Sequence, residues 1–158
     1  MANEVALVRS AFVGGHMQFS ESGAGRLILP SVLYTIRQRF TIAEVNAGAT
    51  LLAALAGFKY RMVDASIIAV GGNAAAHTSI DISGTVSTAR KLVAFLVAGT
   101  TQSTMLRAGA ATNGVILADG ASFTANDANT AITVGKTGSD VTTASHVDIS
   151  FSYVIEPA

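Results

Sequence analysis

The chain alternates apolar and polar residues over many short segments, and the clearest of them lies near its C-terminal end. Over residues 146–155 the apolar positions are Val147, Ile149, Phe151, Tyr153 and Ile155, and the positions between them are Asp148, Ser150, Ser152 and Val154. A repeat of two places alternate side chains on opposite faces of a β-strand. The pattern therefore predicts a strand with one face on a core and the other towards solvent or a polar partner.

The segment that begins at Leu33 has the same alternation. Its apolar face carries Tyr34, Ile36, Phe40 and Ile42, with Gln38 as the exception, and its polar face carries Thr35, Arg37, Arg39 and Thr41. This pattern predicts a half-buried strand. Arg37 and Arg39 are either solvated or form salt bridges with an acidic surface of a partner, because a guanidinium pairs well with carboxylates.

Turn-forming residues separate further short strands along the rest of the chain. Strands are predicted at 58–70, 78–83, 91–97, 103–107, 114–118 and 130–134. One short helix is predicted at 50–57, with Thr50 as its N-cap and Gly57 as its C-cap. About eight short strands without long helices between them predict an all-β fold, an antiparallel β-sandwich that resembles a jelly roll.

Residues 1–32 differ from the remainder of the chain. Glycines interrupt this segment at 14, 15, 23 and 25, and Pro30 ends it. We expect an extended N-terminal arm at 1–32 and a β-sandwich domain at 33–158. The alternative is that 1–32 supplies a first strand of the main sheet and a loop.

Charge is scarce and balanced in this chain of 158 residues. Only 13 % of the residues are charged, about half of the usual quarter, and ten cations offset ten carboxylates. A neutral chain has no basic field to hold nucleic acid. With 50 % hydrophobic residues, it is expected to bury surface against other chains.

The absence of cysteine excludes disulfides and thiolate metal sites. No stretch reaches the roughly 18 apolar residues of a spanning helix, and no basic region precedes an apolar run near residue 1. We therefore expect neither a signal peptide nor a membrane segment.

Few residues suggest chemistry. His16, His77 and His146 lack metal-site spacing, so they are unrelated to one another or meet across subunits on a symmetry axis. The segment 135–138 is similar to the end of a phosphate-binding loop, but Thr130 stands where that loop needs glycine, which favours a turn between the last two strands. The segment 126–129 offers calcium-loop oxygens without the loop's glycine and closing glutamate, which favours an Asx-type turn.

The strand carboxylates do not form a recognisable catalytic set either. Asp64, Asp81 and Asp148 lack the flanking aromatic residues that hold sugar rings, and the chain has no Gly-x-Ser-x-Gly elbow. We expect no catalytic residues, no cofactor and no metal.

Several segments together resemble one class of protein. They are Val-Asp-Ala-Ser-Ile-Ile-Ala-Val-Gly-Gly at 63–72, Thr-Ser-Ile-Asp-Ile at 78–82, Ala-Asp-Gly-Ala-Ser-Phe at 118–123, Ala-Ile-Thr-Val-Gly-Lys-Thr-Gly at 131–138 and Val-Asp-Ile-Ser-Phe-Ser-Tyr at 147–153. Over residues 40–156 the chain resembles the capsid decoration, or cement, proteins of tailed bacteriophages. The resemblance implies a β-sandwich or jelly roll that forms dimers or trimers over joints between coat-protein capsomers. The resemblance does not cover the arm before Leu33, but this role would give such an arm a use, since an extended segment can add a strand to a neighbour's sheet edge.

The resulting hypothesis is a non-enzymatic virion protein, made in the host cytoplasm and bound to the outside of the assembled capsid. Its partners are the major capsid protein and itself, as a homodimer or homotrimer, with no nucleic acid and no membrane. The alternatives are a head-fibre or tail component, or a carbohydrate-binding sandwich. The aromatic residues that such a sandwich would have to expose are Phe58, Tyr60, Phe123 and Tyr153.

Overall fold

Two antiparallel β-sheets make up most of the structure, which confirms the prediction of an all-β sandwich. The computed structural model describes residues 18–19, 27–28, 32–108, 115–117 and 124–158, with the backbone alone at 18–19, 27–28 and 115–117. The strands are β1 (Gln18–Phe19), β2 (Leu27–Ile28), β3 (Leu33–Thr41), β4 (Ala49–Leu52), β5 (Phe58–Val70), β6 (Ala74–Val86), β7 (Thr88–Leu96), β8 (Met105–Arg107), β9 (Val115–Leu117), β10 (Ile132–Thr143) and β11 (His146–Pro157). A helix, α1 (Ile42–Ala47), follows β3, and a 3-10 turn, η1 (Val97–Gly99), follows β7.

The order of the strands is that of a jelly roll. The four-stranded sheet runs β3-β11-β5-β8, and the five-stranded sheet runs β4-β10-β6-β7-β9. If β9 is set aside and the other eight strands are counted along the chain from β3, the sheets read 1-8-3-6 and 2-7-4-5. This is the winding of two Greek keys across a sandwich. The jelly-roll-like topology expected from the sequence is therefore confirmed.

The core lies between the two sheets, where alternate side chains of each strand meet. Phe40, Phe95 and Phe151 come from three different strands and are at most 2 % exposed. Burial of such a side chain contributes roughly 1.5–3 kcal/mol. The inward positions of β11 match those predicted from its alternation, because Val147 to Ile155 are buried at every second residue.

The predicted helix at 50–57 is wrong, because the helix lies one segment earlier. Thr41 Oγ1 accepts a hydrogen bond from Glu44 N, and Glu44 Oε2 accepts one from Thr41 N at 2.7 Å, so that a capping box starts α1. Gly48 ends the helix with a φ of +84°, which favours glycine. The following residues form β4, and both of its leucines are buried.

The predicted turn at 135–138 is also wrong, because these residues lie inside β10. The strand continues to Thr143 past a bulge at Gly138, where φ is +84° and an added Cβ would lie 3.0 Å from Thr78 N. The chain turns instead at 144–145, where Ser145 N donates to Val70 O at 2.9 Å.

Within the predicted arm, β1 and β2 form a short antiparallel pair that joins Gln18 to Ile28 and Phe19 to Leu27. The rest of 1–31 lies outside the described residues. The prediction that this segment is an extended arm therefore stays a prediction.

Candidate functional site

The outer side of the four-stranded sheet carries most of the described cations. Every second residue of β3, β5, β8 and β11 points away from the core, and the ionised ones are Arg37, Arg39, Lys59, Arg61, Asp64, Arg107, Asp148 and Glu156. We call this surface the arginine face. Its five cations and three carboxylates give it a formal charge of +2 in a chain whose net charge is zero.

The centre of the arginine face is Asp148, which binds two arginines at once. Arg37 Nη2 donates to Asp148 Oδ2 at 2.9 Å, and Arg39 Nε donates to Oδ1 at 3.0 Å. The two arginines lie on β3 at i and i+2, and Arg39 lies directly opposite Asp148 in the antiparallel ladder. Strand pairing therefore places both guanidiniums within reach of one carboxylate.

The electrostatics of this cluster are asymmetric. The Asp148 side chain is 10 % exposed, whereas Arg37 and Arg39 are 66 % and 64 % exposed. The hydrogen bond from Arg39, together with that from Arg37, lowers the pKa of the Asp148 carboxyl below its ordinary value, against the opposing effect of burial. The carboxylate is thus an anchor, and the guanidiniums remain on the surface with further N–H donors.

Two more pairs extend the face across neighbouring strands. Arg61 binds Glu156 in a bidentate fashion, with Nε–Oε1 at 2.6 Å and Nη2–Oε2 at 3.0 Å. This hydrogen bonding lowers the pKa of Glu156. Arg107 donates from Nε to Asp64 Oδ2 at 2.8 Å. Each carboxylate of the face therefore fixes at least one arginine, so the four arginines are held in place before any partner binds.

The sequence singled out Arg37 and Arg39, and the structure shows that they are both paired within the chain and largely exposed. The partners of Arg61 and Arg107 were not foreseen, because they depend on which strands are neighbours. The sequence feature that points to these ion pairs is the placement of Asp64 and Glu156 on the polar faces of their strands.

On the other sheet, the side chain of Asp81 is 4 % exposed and fully hydrogen-bonded. It accepts from Ser79 Oγ at 2.7 Å and Thr137 Oγ1 at 2.6 Å, and it forms an ion pair with Lys91 at 3.0 Å. Lys91 also contacts Thr137. Ser79 donates a hydrogen bond to a carboxylate that is already paired with a lysine, so this group is a structural cross-link between β6, β7 and β10.

The two histidines that the structure describes lie on different sheets. His146 begins β11, and its Nε2 lies 3.9 Å from Asp148 Oδ1. His77 lies in β6 of the other sheet, is 4 % exposed, and has Nδ1 3.2 Å from Ala75 O. Burial lowers the pKa of His77. His16 lies outside the described residues, so a meeting of histidines across subunits stays a hypothesis.

The segment that resembled a calcium loop uses its oxygens to hold the chain together. Asp127 Oδ2 accepts from Ser87 N at 2.7 Å, and Asn129 Oδ1 accepts from Gly57 N at 2.6 Å. Thr130 Oγ1 donates to Asp127 O, which is a local bond but not that of the Asx-type turn expected from the sequence, because the oxygens of Asp127 and Asn129 accept from distant amides. Within the described part of the chain, no cluster of three or more His, Asp or Glu residues could hold a metal ion.

The aromatic residues considered for sugar binding are packed into the core where the structure describes them. Phe58, Tyr60 and Tyr153 are at most 8 % exposed, and Tyr60 meets Tyr153 edge to face at 5.5 Å. Phe123 lies outside the described residues. These buried rings offer no open stacking platform for a sugar.

Comparison of the chain with protein-family models, curated proteins and solved structures gave no match. The resemblance to cement proteins therefore remains a hypothesis from the sequence. None of the described helices is long and apolar enough to cross a membrane.

Proposed function

We propose that this chain is a non-enzymatic structural protein of a bacteriophage virion. It binds the outside of the assembled capsid as a homo-oligomer and stabilises the shell by bridging coat-protein subunits. The observation that carries the proposal is the arginine face, a sheet surface on which ion pairs hold exposed guanidiniums in fixed positions.

The arginine face suits a binding role that needs no chemistry. Arg37 and Arg39 keep about two thirds of their side-chain surface in solvent while Asp148 holds them. A guanidinium held in this way loses less conformational freedom when it meets a carboxylate of a partner. The complementary surface is an acidic patch of the coat protein.

The energetic role of such a protein follows from mass action. A ligand that binds the assembled lattice and not the free coat subunit shifts the equilibrium towards assembly. Several copies joined in one oligomer raise the effective affinity of contacts that are individually modest. Each copy of a chain with one basic face therefore needs only a few ion pairs with the coat protein for the oligomer to bind the lattice.

Thermal disassembly of coat-protein shells tests this role. We expect wild-type protein to raise the shell's disassembly temperature and the R37Q/R39Q variant to lose most of that shift. Arg90→Gln is the matched control, because Arg90 is on β7 of the other sheet. Circular dichroism and unfolding of each variant separate a folding defect from a binding defect.

Two results would contradict the proposal. One is a shell that disassembles at the same temperature with and without folded wild-type protein. The other is R37Q/R39Q protecting the shell as well as wild type, which would remove the arginine face from the interface.

A further inference from the structure

His146 carries an unpartnered nitrogen at one end of the arginine face. It lies two residues before Asp148 on β11, so both side chains are on the outer side of the sheet. The His146 side chain is 17 % exposed, and its Nε2 atom is buried with no hydrogen-bond partner. Most buried polar atoms in folded proteins have a partner, so this nitrogen needs an explanation.

The polar group beside this nitrogen is the central carboxylate of the face. His146 Nε2 lies 3.9 Å from Asp148 Oδ1, which is beyond hydrogen-bond distance but short enough for an ion pair. The same oxygen accepts from Arg39 Nε at 3.0 Å. Arg39 therefore uses an oxygen that His146 approaches without a bond.

Charged groups reach this part of the face from β3. Thr41 lies opposite His146 in the ladder, and Arg39 lies opposite Asp148. Arg37 is bonded to the other carboxylate oxygen, Oδ2, at 2.9 Å. A proton on His146 therefore adds a third cation beside a carboxylate that already pairs with two.

The neighbouring elements leave Asp148 as the carboxylate with which His146 pairs. Glu44 of α1 is engaged at the helix cap, where its Oε2 accepts from both N and Oγ1 of Thr41. On β5, the residue opposite His146 is Val70, which carries no charge.

We propose that His146 is a pH sensor of the arginine face, which in its protonated form pairs with Asp148 in place of Arg39 and so makes Arg39 available to an acidic partner. This role deepens the proposed function and rests on it, because the acidic partner is the coat protein. Acidification is then expected to strengthen the binding of the capsid.

The chemistry of the groups supports this exchange. Histidine changes its charge between about pH 5 and pH 8, and the protonated ring donates from both nitrogens. Hydrogen bonds from Arg39 and Arg37 lower the pKa of Asp148, so its carboxylate stays ionised in this range and can accept a charge-assisted bond from Nε2.

The exposure of the two cations at Oδ1 decides which of them leaves. Arg39 is 64 % exposed and can move into solvent, whereas His146 is 17 % exposed. Asp148 keeps two charged partners in both states. The added proton raises the formal charge of the face from +2 to +3, and one guanidinium is released.

Side-chain NMR relaxation tests the exchange without any capsid. We expect the ¹³Cδ group of Arg39 to be ordered at about pH 7.5 and clearly more mobile at about pH 5.5, while Arg61, which is bound to Glu156, stays ordered at both. In H146Q and H146F, two variants that cannot titrate at this position, Arg39 should stay ordered at both pH values. Circular dichroism checks that each variant is folded.

Two NMR results would overturn the inference. One is an Arg39 side chain with the same mobility at both pH values in wild type. The other is an Arg39 that loosens on acidification in H146Q and H146F as it does in wild type. The control variant H146Q/T133H places a titrating histidine at an exposed position of the other sheet, and it should not restore the response.

Co-sedimentation with coat-protein shells measures the consequence. One further exposed ion pair in each copy should tighten binding about two- to fivefold between pH 7.5 and pH 5.5 in wild type, relative to the change in H146Q, which corrects for titration of the shell itself. Equal changes in wild type and H146Q would overturn the inference alone. Folded wild-type protein that binds shells at neither pH would contradict the proposed function and this inference with it.

Discussion

Replacement of Asp148 by asparagine tests whether the arginine face is held together by its central carboxylate. Asparagine keeps the shape of the side chain and removes its charge. The variant leaves Arg37 and Arg39 beside a neutral amide, so both charge-assisted hydrogen bonds are weakened together. We expect a less stable protein whose fold is unchanged.

The magnitude follows from the exposure of the three side chains. A hydrogen bond to a charged group contributes roughly 1.5–3 kcal/mol where it is shielded from water. An exposed ion pair contributes only about 0.2–1 kcal/mol. Asp148 is 10 % exposed and its partners are about two thirds exposed, so an intermediate loss of about 1–2 kcal/mol is expected. For a chain of this length, that loss lowers Tm by about 3–6 °C.

The pH dependence gives the sharpest signature. The two arginines lower the pKa of Asp148 in the folded chain. Its carboxylate therefore contributes stability above the unfolded pKa of about 3.9, and this contribution is lost as the pH falls through the lower folded value. The difference in stability between wild type and D148N should be constant near neutral pH and should shrink at low pH, as Asp148 of the wild type becomes protonated.

Urea unfolding from about pH 7 down to about pH 3 measures this difference. Asp140→Asn is the control, because Asp140 is 71 % exposed and pairs only with Lys136 among the described residues. We expect the control to change stability by less than about 0.5 kcal/mol. A D148N variant as stable as wild type at neutral pH, or a difference that does not vary with pH, would refute the reasoning.

Three further variants test other parts of the account. Asn129 has a φ of +60° and its side chain accepts a hydrogen bond from Gly57 N. In urea unfolding, Asn129→Gly should lower the free energy of unfolding by about 1 kcal/mol, because the hydrogen bond is lost, and Asn129→Ala by about 1 kcal/mol more, because alanine is strained at this φ. Equal losses for the two variants would contradict this. A Cβ on Gly84 would lie 2.5 Å from the buried Asn126 Nδ2. Gly84→Ala alone should therefore lower the free energy of unfolding by about 1–3 kcal/mol, and by clearly less when Asn126→Ala is also present. Additive losses in this double-mutant cycle would contradict the close packing of the two residues. Deletion of residues 2–30 should leave a folded β-protein by circular dichroism that sediments poorly with shells, and full binding would remove this segment from the interface.

Strands with strict alternation could be predicted from the sequence. In β5 the predicted bounds of 58–70 coincide with those of the structure, and the inward residues of β11 were all identified. Alternation holds in β11, and in β5 on either side of a bulge at Val63, because each of these strands has one face on the core and the other on the surface. Elements without that simple environment were misplaced.

The helix illustrates why local patterns were insufficient. The spacing of Leu51, Leu52 and Leu55 fits a helical stripe, yet Leu51 and Leu52 are both buried in an edge strand, next to a register shift opposite Ile132. The capping box at Thr41 and Glu44 was the stronger local signal, and it lay at the end of a predicted strand. The helix forms at the capping box because Val45 of α1 packs into the core there.

The candidate site was predictable only in part. Alternation placed Arg37, Arg39 and Asp148 on the polar faces of their strands, but nothing in the order of residues showed that these two strands are neighbours. Arg61 with Glu156 and Arg107 with Asp64 depend on the same long-range pairing. The ion pairs of the arginine face join residues that are 43 to 111 positions apart, and the order of the strands that brings them together is set by the whole fold.

The most direct test of the central claim is co-sedimentation of the purified protein with coat-protein shells from the same genome, with a count of copies bound for each coat subunit. We expect saturable binding at a simple ratio, weakened by salt because guanidinium–carboxylate pairs are screened. Folded protein that stays in the supernatant at low salt, with intact shells in the pellet, would contradict a capsid-binding role.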